Sequence, residues 1–465
     1  MSDSDAPQKE PRDQRVRDPV HGLIVFRKEN AVDQLAWRLL DTPEFQRLRR
    51  IKQLGPAEFV FPSATHSRFA HCIGVFHTAR QLVGIIRREI AGIGETFDPD
   101  RADVATLAAL LHDLGHGPLS HAFEDVQKAR SKKKKHEKWS AEIIRNEKGA
   151  IRPLLEGYRR GLADEIAVLL ETEDPEDIYH AVVSSSFDAD RLDYLQRDRL
   201  MTGTHAGAID FDWLMEHVRV RRVSIEAPDE DDPDAPPVQV PTFCLDSKAL
   251  PAAEQFLHAR YTLHEQVYFH KVKRCVEHMV SELLGRVARH AGMDDAAEQT
   301  GLSADHPMLT FFLNDDLDSY LELDDTVLWG GIQAMTRARD DAIRTLAKRL
   351  RDRRLYKTLD IARWGADAGR QAQRVRMIDR KFQSAIAART VLKDEGAKLN
   401  IYTQVGGDEE RMHKKLHVLD AGRPVEISSQ SELVRTLVAP KNFTRYYFST
   451  ESDRNAAIDP RKGRL

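Results

Sequence analysis

The spacing of hydrophobic positions predicts helices over most of the chain. In VATLAALLHDLG (104–115), apolar residues recur at the three- and four-residue intervals of a helical face, and Gly115 supplies a stop signal. The segment SRFAHCIGVFHTARQLVGIIRREI (67–90) continues in the same way. These patterns predict a helical region from about residue 30 to 220, and a second helical block from about 247 to 395.

Shorter apolar runs predict a few strands. Residues 15–28 (RVRDPVHGLIVFRK) hold a Pro-Val-His-Gly turn and a short apolar run, which indicate a small strand or hairpin. VRVRRVSIE and VQVPTFCLD read as strands on either side of an acidic, proline-rich surface loop at 226–237. Residues from about 396 to 465 mix β-like runs (KLNIYTQV, HKKLHVLD, TRYYFST) with polar turns. The chain is therefore predicted to be mainly α, with small β-hairpins and a C-terminal α+β extension.

Composition and charge narrow the class of protein. A net charge of −4 over 465 residues gives no general footprint for nucleic acid. The Lys132–Lys135 run favours a solvated basic loop and leaves attraction of phosphate or single-stranded nucleic acid open. The three cysteines lack the spacing of a metal site. No segment is apolar enough to span a membrane. Residues 1–14 read as a disordered tail without a hydrophobic signal segment. We therefore expect a cytoplasmic protein without membrane contact.

A cluster of histidines begins at the end of one predicted helix. LLHDLGHG (110–117) puts an imidazole and a carboxylate side by side at His112 and Asp113, and both groups suit first-row divalent metals. A lone His-Asp pair is more often incidental than functional. His116 and His121 follow closely, however, and packing alone does not explain so many histidines at a helix end and the loop after it.

A mononuclear metal site needs further ligands and an open position for water. His71, on an earlier predicted helix, and Asp190, in SSSFDADRLDYLQRD (184–198), are the candidates. Asp188 is a rival ligand, but it is better placed as the N-cap of the helix that carries Asp190. The four candidate ligands would then comprise two imidazoles and two carboxylates.

The segment around Asp190 also predicts a polar helical face. Its members, spaced by three or four residues along the helix, are Asp190, Tyr194, Arg197 and Asp198. This face is too polar for a core stripe, and a solvated surface is the alternative to a binding role.

The mixed nitrogen and oxygen ligand set fits Mn, Fe, Zn, Ni or Mg. Such an ion would lower the pKa of bound water and polarise a phosphoryl oxygen. Phosphoryl transfer also needs an acid for the leaving oxygen, and His116, His121 and His136 can supply protons near neutral pH. The residues therefore point to a metal-dependent phosphohydrolase.

Several motifs, taken in series, resemble those of a known family. They are RDPVHGLIVF (17–26), FQRLRRIKQLGPAEFVFPSATHSR (45–68), HSRFAHCIGV (66–75), LLHDLGHGPLSHAFE (110–124), KHEKWS (135–140), DADRLDYLQRD (188–198) and FLHARYTLHEQVYFHKV (256–272). The series resembles the HD superfamily and, more narrowly, the deoxynucleoside triphosphate (dNTP) triphosphohydrolases related to the vertebrate SAM-and-HD-domain protein, without the SAM domain. The resemblance implies an HD-domain helical core over residues 15–290 and a C-terminal helical and α+β region over 291–465.

The resemblance also assigns roles near the histidine cluster. It implies that a divalent metal is bound by His71, His112, Asp113 and Asp190. A histidine would protonate the leaving group and a carboxylate would orient it. The residues of this catalytic neighbourhood would be His116, His136 and Glu124, with His121 over the α-phosphate.

Substrate contacts are implied in the same way. The basic residues on the triphosphate would be Arg68, Arg191, Arg260 and Lys271. The residues beside the sugar and base would be Gln53, Leu54, Tyr194 and Asp198. Tyr194 would pack against the sugar ring, and Asp198 would accept a hydrogen bond from the 3′-hydroxyl. Substrate binding is also favoured over a solvated surface for one predicted helical stripe, formed by Arg260, His264, Tyr268 and Lys271.

The leading functional hypothesis is hydrolysis of a dNTP to a deoxynucleoside and inorganic triphosphate. One alternative is an HD-type nuclease or phosphodiesterase that acts on single-stranded nucleic acid. Another is a regulatory protein that senses nucleotides with little or no hydrolysis. The resemblance further implies a homo-oligomer, as a tetramer or dimer, and leaves a nucleotide effector open.

Overall fold

The protein, seen in a computed structural model, is mainly helical, as predicted. The structure describes residues 12–132, 134–172, 177–205, 207–225, 238–399, 415–437 and 441–459. The chain enters through an antiparallel hairpin of β1 (Gln14–Asp18) and β2 (Gly22–Phe26), which confirms the predicted hairpin. Most of the predicted N-terminal tail lies outside the described residues. Within the described part, no helix combines the length and apolar character needed to cross a membrane.

A helical core follows the hairpin. Its helices are α1 (Ala31–Leu40), α2 (Pro43–Arg47), α3 (Arg68–Glu89), α4 (Pro99–Leu111), α5 (His121–Ala129), α6 (His136–Arg145), α7 (Ile151–Tyr158), α8 (Leu162–Glu171), α9 (Ala189–Thr202) and α10 (Phe211–Glu216). Helix α3 lies between two hydrophobic clusters, with Phe76 in one and Leu82 in the other. Because burying one such side chain stabilises by about 1.5–3 kcal/mol, this arrangement holds α3 firmly in place.

Helix α4 ends earlier than the sequence indicated. It begins at an Asp98 N-cap and stops at Leu111, so His112 and Asp113 lie in the turns that follow. The expected role of Gly115 as a helix stop was therefore wrong. A β-carbon at Gly115 would come within 2.0 Å of the His136 carbonyl oxygen, so glycine is needed there for the close approach of α6.

A small sheet follows the helical core. Strands β3 (Val218–Ile225) and β4 (Val238–Leu245) pair antiparallel, which confirms the second predicted hairpin. Its acidic loop lies outside the described residues. Two later strands, β7 (His417–Asp420) and β8 (Arg423–Glu426), extend the sheet in the order β3-β4-β7-β8.

The second helical block is interrupted in two places and ends earlier than predicted, since a strand begins at Val391. Its helices are α11 (Leu250–Leu263), α12 (Lys271–His290), α13 (Ala296–Thr300), α14 (Pro307–Asn314), α15 (Leu317–Leu321), α16 (Asp325–Met335), α17 (Asp341–Arg351), α18 (Ala368–Lys381) and α19 (Gln383–Ala387). A strand, β5 (Lys357–Asp360), interrupts the block. A π-turn at His264–Tyr268 separates α11 from α12, so the predicted continuous stripe from Arg260 to Lys271 was wrong.

The C-terminal portion is α+β, as predicted. Strands β6 (Val391–Leu399) and β9 (Lys441–Phe448) join β5 in the order β5-β9-β6. The remaining helices are α20 (Ile427–Gln430), α21 (Glu432–Leu437) and α22 (Glu451–Ile458). This portion packs against the helical core, because Val418 of β7 and Val434 of α21 lie in the same buried hydrophobic cluster as Leu82 of α3.

Candidate metal centre and active site

Three helix ends bring the predicted metal ligands together. His71 lies in the first turn of α3, His112 and Asp113 follow the end of α4, and Asp190 lies in the first turn of α9. Helix α9 begins where it does because the Asp188 carboxylate accepts a hydrogen bond from the Arg191 backbone N–H. Asp188 is thus an N-cap, as the sequence predicted.

The four side chains converge on a small volume. His71 Nε2 lies 2.9 Å from Asp190 Oδ1, and His112 Nε2 lies 3.3 Å from Asp113 Oδ1. His71, His112 and Asp190 each offer one ligand atom, and these atoms lie within 4.8 Å of one another. Asp113 Oδ2 is slightly further out, 3.9 Å from His71 Nε2.

The ring nitrogens show why this set suits a metal ion. Nδ1 of His71 donates to Asp193 at 2.7 Å, and Nδ1 of His112 donates to the Ala109 carbonyl at 2.9 Å. The Nε2 atoms of both rings are buried without a hydrogen-bond partner. His71 Nε2 approaches Asp190 without hydrogen-bond geometry, as expected for two ligands that share one ion. The donor set therefore fits a divalent metal.

The two carboxylates are held in their charged form. Burial alone would raise the pKa of Asp113, but Arg68, His112 and His116 keep this pKa well below its usual range. Burial opposes ionisation of Asp190 as well, and its contacts with His112 and His71 lower the pKa. Ionised carboxylates are the forms that bind metal.

Behind His71 lies a buried network that holds its ring. Asp193 is fully buried and accepts from His71, from His21 Nε2 at 2.6 Å and from two Arg197 nitrogens at 2.8 Å. Arg197 also donates to Asp18 at 2.8 Å. Arg197 therefore belongs to the interior, and its predicted place on the polar face of Asp190 was wrong. Gly74 makes room, since a β-carbon there would lie 1.9 Å from Asp193.

Beside the ligands stands a pair of histidines. The rings of His116 and His136 stack with centroids 3.9 Å apart, and His136 Nδ1 donates to Glu124 at 2.9 Å. His116 Nε2 lies 3.2 Å from Asp113 Oδ1. Burial, Arg68 and His136 push the pKa of His116 well below its usual range, so this ring is neutral at pH 7. The side chain of His121 lies outside the described residues.

A wall of aromatic and acidic side chains adjoins this cluster. Tyr268 donates to Asp198 Oδ2 at 2.5 Å, and His66 Nε2 donates to Asp198 Oδ1 at 2.8 Å. The Tyr194 ring meets Tyr268 edge-on at 6.1 Å. Asp198 keeps a second lone pair on each oxygen for a further donor. Sequence reasoning missed His66, although it stands inside one of the motifs.

One cavity of about 730 Å³ connects these parts. Among its lining residues are Gln53, Leu54, Arg68, His112, Asp113, His116, His136, Asp190, Tyr194, Asp198 and Tyr268, all predicted site residues. Lys273 and Arg274 of α12 and Lys393 and Asp394 of β6 line it too. The sequence did not indicate these four, because the π-turn shifts α12 and β6 comes from a distant part of the chain.

Three predicted triphosphate ligands do not line the cavity directly. Lys271 is exposed at the start of α12. Arg191 forms an ion pair with Asp188, and Arg260 of α11 interacts with Tyr194 of α9. Nε of both arginines is buried without a hydrogen-bond partner, so each retains a donor close to the cavity wall.

The chain matches two known protein regions over most of its length. Residues 68–200 match the HD domain, and residues 239–321 and 313–445 match the HD associated region. An uncharacterised Bacillus subtilis protein, YwfO, is 31% identical over 351 residues, covering 74% of this chain and 71% of that protein. The Dictyostelium discoideum deoxynucleoside triphosphate triphosphohydrolase SAMHD1 homolog is 30% identical over 371 residues, covering 76% of this chain and 62% of its own length.

A solved structure shares the fold. A phosphohydrolase from Bacteroides thetaiotaomicron superposes with a TM-score of 0.70 at 24% identity, covering 94% of this chain and 99% of that chain. Fold and site together define an HD-domain protein. The chain belongs to the HD-domain superfamily and is similar to the Dictyostelium SAMHD1 homolog at about 30% identity over about three quarters of its length.

Proposed function

We propose that this protein hydrolyses a dNTP to a deoxynucleoside and inorganic triphosphate with the help of a divalent metal. The observation that carries the proposal is the single cavity, which combines the His/Asp cluster, the His116–His136 pair and the Tyr194–Tyr268–Asp198 wall. The name of the Dictyostelium relative, a deoxynucleoside triphosphate triphosphohydrolase, supports the same substrate.

The metal would be held by His71, His112, Asp113 and Asp190. Once bound, it supplies Lewis acidity for the activation of water and for charge neutralisation at the α-phosphate. Mn, Fe, Zn, Ni and Mg all suit this ligand set. Arg68 lies beside Asp113 and can place its guanidinium against phosphate oxygens. Arg191 and Arg260 lie behind the cavity wall with unpaired Nε donors, and their positive charge would favour binding of the triphosphate.

The bond that breaks joins the α-phosphorus to O5′ of the sugar. Water forms the new bond to phosphorus and releases one proton to bulk solvent, and O5′ leaves with a proton from the protein, which regains one from solvent. His136 is suited to give that proton from Nε2 of its doubly protonated ring, while Glu124 accepts the hydrogen bond from Nδ1–H. The products are a neutral 5′-hydroxyl and a triphosphate that carries the oxygen of water.

The deoxyribose would rest against the aromatic wall. Asp198, held by His66 and Tyr268, can accept a hydrogen bond from the 3′-hydroxyl. Tyr194 would crowd a 2′-hydroxyl and so disfavour ribonucleotides. A homodimer or homotetramer, a nucleotide effector and a cytoplasmic location stay predictions from the sequence.

The alternative of a nuclease gains little from the basic loop. Lys132 pairs with Asp315 at 2.8 Å, and Lys134 packs on the Trp139 ring at 3.3 Å and pairs with Glu142. These charges are already used within the protein, which favours the solvated-loop interpretation.

The test is a product assay. Purified protein with Mn²⁺ or Mg²⁺ receives each dNTP singly, all four mixed, and, in parallel, a labelled single-stranded oligonucleotide. We expect the products to be deoxynucleoside and inorganic triphosphate. Turnover that occurs only with all four dNTPs together would indicate that a nucleotide effector is needed. Intact dNTPs with a shortened oligonucleotide would replace the proposal with the nuclease, and tight dNTP binding without turnover would replace it with the sensor.

A further inference from the structure

A strained loop joins the metal ligands to α5. Leu119 and Ser120 both have positive φ, 51° and 48°, although neither is glycine. Left-handed backbone is unfavourable for side chains of this kind and persists only where the surroundings impose it. Both residues are buried. Something outside the loop must therefore hold it in this shape.

A carboxylate from outside the loop is bonded to its backbone, that of Asp325, the first residue of α16. Asp325 Oδ1 accepts the Leu119 N–H at 2.8 Å, and Oδ2 accepts the Lys52 N–H at 2.9 Å. The side chain is 3% exposed. The N-cap of α16 is Asp324, which accepts from Val327 N at 2.9 Å, so Asp325 is not needed for that role.

On the loop side, the contact leads to a metal ligand. Ser120 Oγ accepts from Arg68 Nη2 at 2.8 Å, and Arg68 Nη1 donates to Asp113 Oδ2 at 2.5 Å. A shift of the Leu119–Ser120 backbone would move the oxygen that orients Arg68. Arg68 would then lose its set position against both Asp113 and the substrate phosphates.

On the other side, the contact leads to the substrate wall. Lys52 precedes Gln53 and Leu54, which line the cavity. Gln53 N donates to the His66 carbonyl at 3.0 Å, so this segment also fixes the motif that carries His66. A β-carbon at Gly55 would lie 3.4 Å from the Leu119 carbonyl oxygen. The segment after Lys52 and the Leu119–Ser120 loop are therefore in contact close to Asp325.

We propose that Asp325 is a positioning residue that sets the spacing between the Leu119–Ser120 loop and the Lys52–Leu54 segment. Through it, the C-terminal region shapes an active site whose ligands all belong to the helical core. The effect on turnover rests on the proposed dNTP hydrolysis, whereas the effect on the backbone does not.

The test compares Asp325→Asn with Asp324→Asn, two neutral changes at adjacent acids of α16. Asparagine keeps one acceptor oxygen and turns an N–H₂ group toward the second backbone N–H, which repels it. We expect Asp325→Asn to lower kcat/KM for dNTP by about 10- to 100-fold, as a misplacement near 1 Å does. A displaced Arg68 would lower kcat, because it would no longer be held against the reacting phosphate. A displaced Gln53–Leu54 segment would raise KM, because it lines the cavity. Asp324→Asn keeps the N-cap acceptor and weakens only the ion pair with Arg50, so it should keep kcat/KM within about threefold.

Hydrogen exchange gives a readout that needs no substrate. Wild-type amides of Lys52 and Leu119 should be protected, and Asp325→Asn should speed their exchange at least tenfold while Asp324→Asn leaves it unchanged. Fast exchange at both amides in the wild type, or equal effects of the two variants, would overturn the proposal. The wild-type measurement stands even if Asp325→Asn does not fold.

A double-mutant cycle then tests the route through Ser120. If Asp325 acts on Arg68 through this loop, Asp325→Asn with Ser120→Ala should cost less in kcat/KM than the product of the two single losses. Independent, multiplying losses would mean that Asp325 does not act through Ser120 and would overturn that route. If neither the wild type nor any variant hydrolyses a dNTP, hydrogen exchange at Lys52 and Leu119 alone decides the proposal.

Discussion

His71 has two sides, and they differ in how fully their polar atoms are satisfied. Behind the ring, Asp193 accepts hydrogen bonds from His71, His21 and Arg197, and the side chains of this network are at most 4% exposed. In front of it, Nε2 of His71 and Nε2 of His112 have no hydrogen-bond partner. Since buried polar groups are normally paired, the unpaired side is the one shaped for a ligand.

This comparison separates support from binding. The rear network fixes the tautomer and the orientation of His71, so that its lone pair faces the cavity. It also ties the metal ligand to the N-terminal hairpin, because His21 lies in the hairpin turn and Asp18 at the end of β1. Substitutions of residues on the cavity side of His71 should therefore abolish turnover, and substitutions in the Asp193 network should only reduce metal affinity.

The largest effect is expected from Asp113→Ala, which removes a front ligand. Metal content and dNTP turnover should be lost together, since Asp113 also anchors Arg68. Metal analysis of the purified variant and a turnover assay provide the check, with Asp212→Asn, an exposed change on α10, as the control. A variant that stays metal-loaded and active would show that the site is assigned wrongly.

His136→Ala should act in front without removing the metal. Loss of the proton donor should slow turnover by about 10²- to 10⁴-fold, the range for general acid catalysis. Metal content should equal that of the wild type, because His136 contacts Glu124 and not the predicted ligands. Unchanged turnover would take His136 out of the catalytic group.

Asp193→Asn tests the rear side. Metal affinity, measured by competition with a chelator, should fall by about 10- to 100-fold, as for other groups that orient a metal-binding histidine. The free energy of unfolding should also fall, by about 3 kcal/mol, because Arg197 loses a buried anionic partner. His21→Gln keeps a donor for Asp193 and should cost less than Asp193→Asn. Wild-type metal affinity in Asp193→Asn would refute the supporting role.

The smallest effect concerns selectivity at the aromatic wall. If Tyr194 crowds a 2′-hydroxyl, Tyr194→Ala should narrow the preference for dNTP over NTP by about tenfold, the scale of a single steric contact. Tyr194→Phe keeps the ring and should keep the preference. The measurement is the ratio of kcat/KM values for the two substrates, and an unaltered ratio in Tyr194→Ala would dismiss this role.

The sequence motifs predicted the four metal ligands because each of these residues lies at or next to the end of a helix that the hydrophobic spacing indicates. His112 and Asp113 are neighbours in sequence, and His71 and Asp190 each begin a recognisable helix. The mainly α fold and both hairpins could be predicted for the same reason, since period and turn residues are local signals.

The rest depended on contacts between distant segments. His21 and Asp193 are 172 positions apart, and Leu119 and Asp325 are 206 apart, so no local period reveals either pair. Lys271 was misplaced because the helix ends after the π-turn and a new helix begins at Lys271, a break that a 3.6-residue pattern does not register. Gly115 was misread because close packing, and not helix termination, requires glycine there.

The most direct test of dNTP hydrolysis at this site is turnover in H₂¹⁸O. Attack of water on the α-phosphorus, with cleavage of the bond to O5′, puts the label into inorganic triphosphate and leaves the deoxynucleoside unlabelled. We expect that result for the wild type with divalent metal and none for Asp113→Ala. Label in a deoxynucleoside monophosphate or in the 5′-hydroxyl, or no cleavage of any dNTP, would contradict the account.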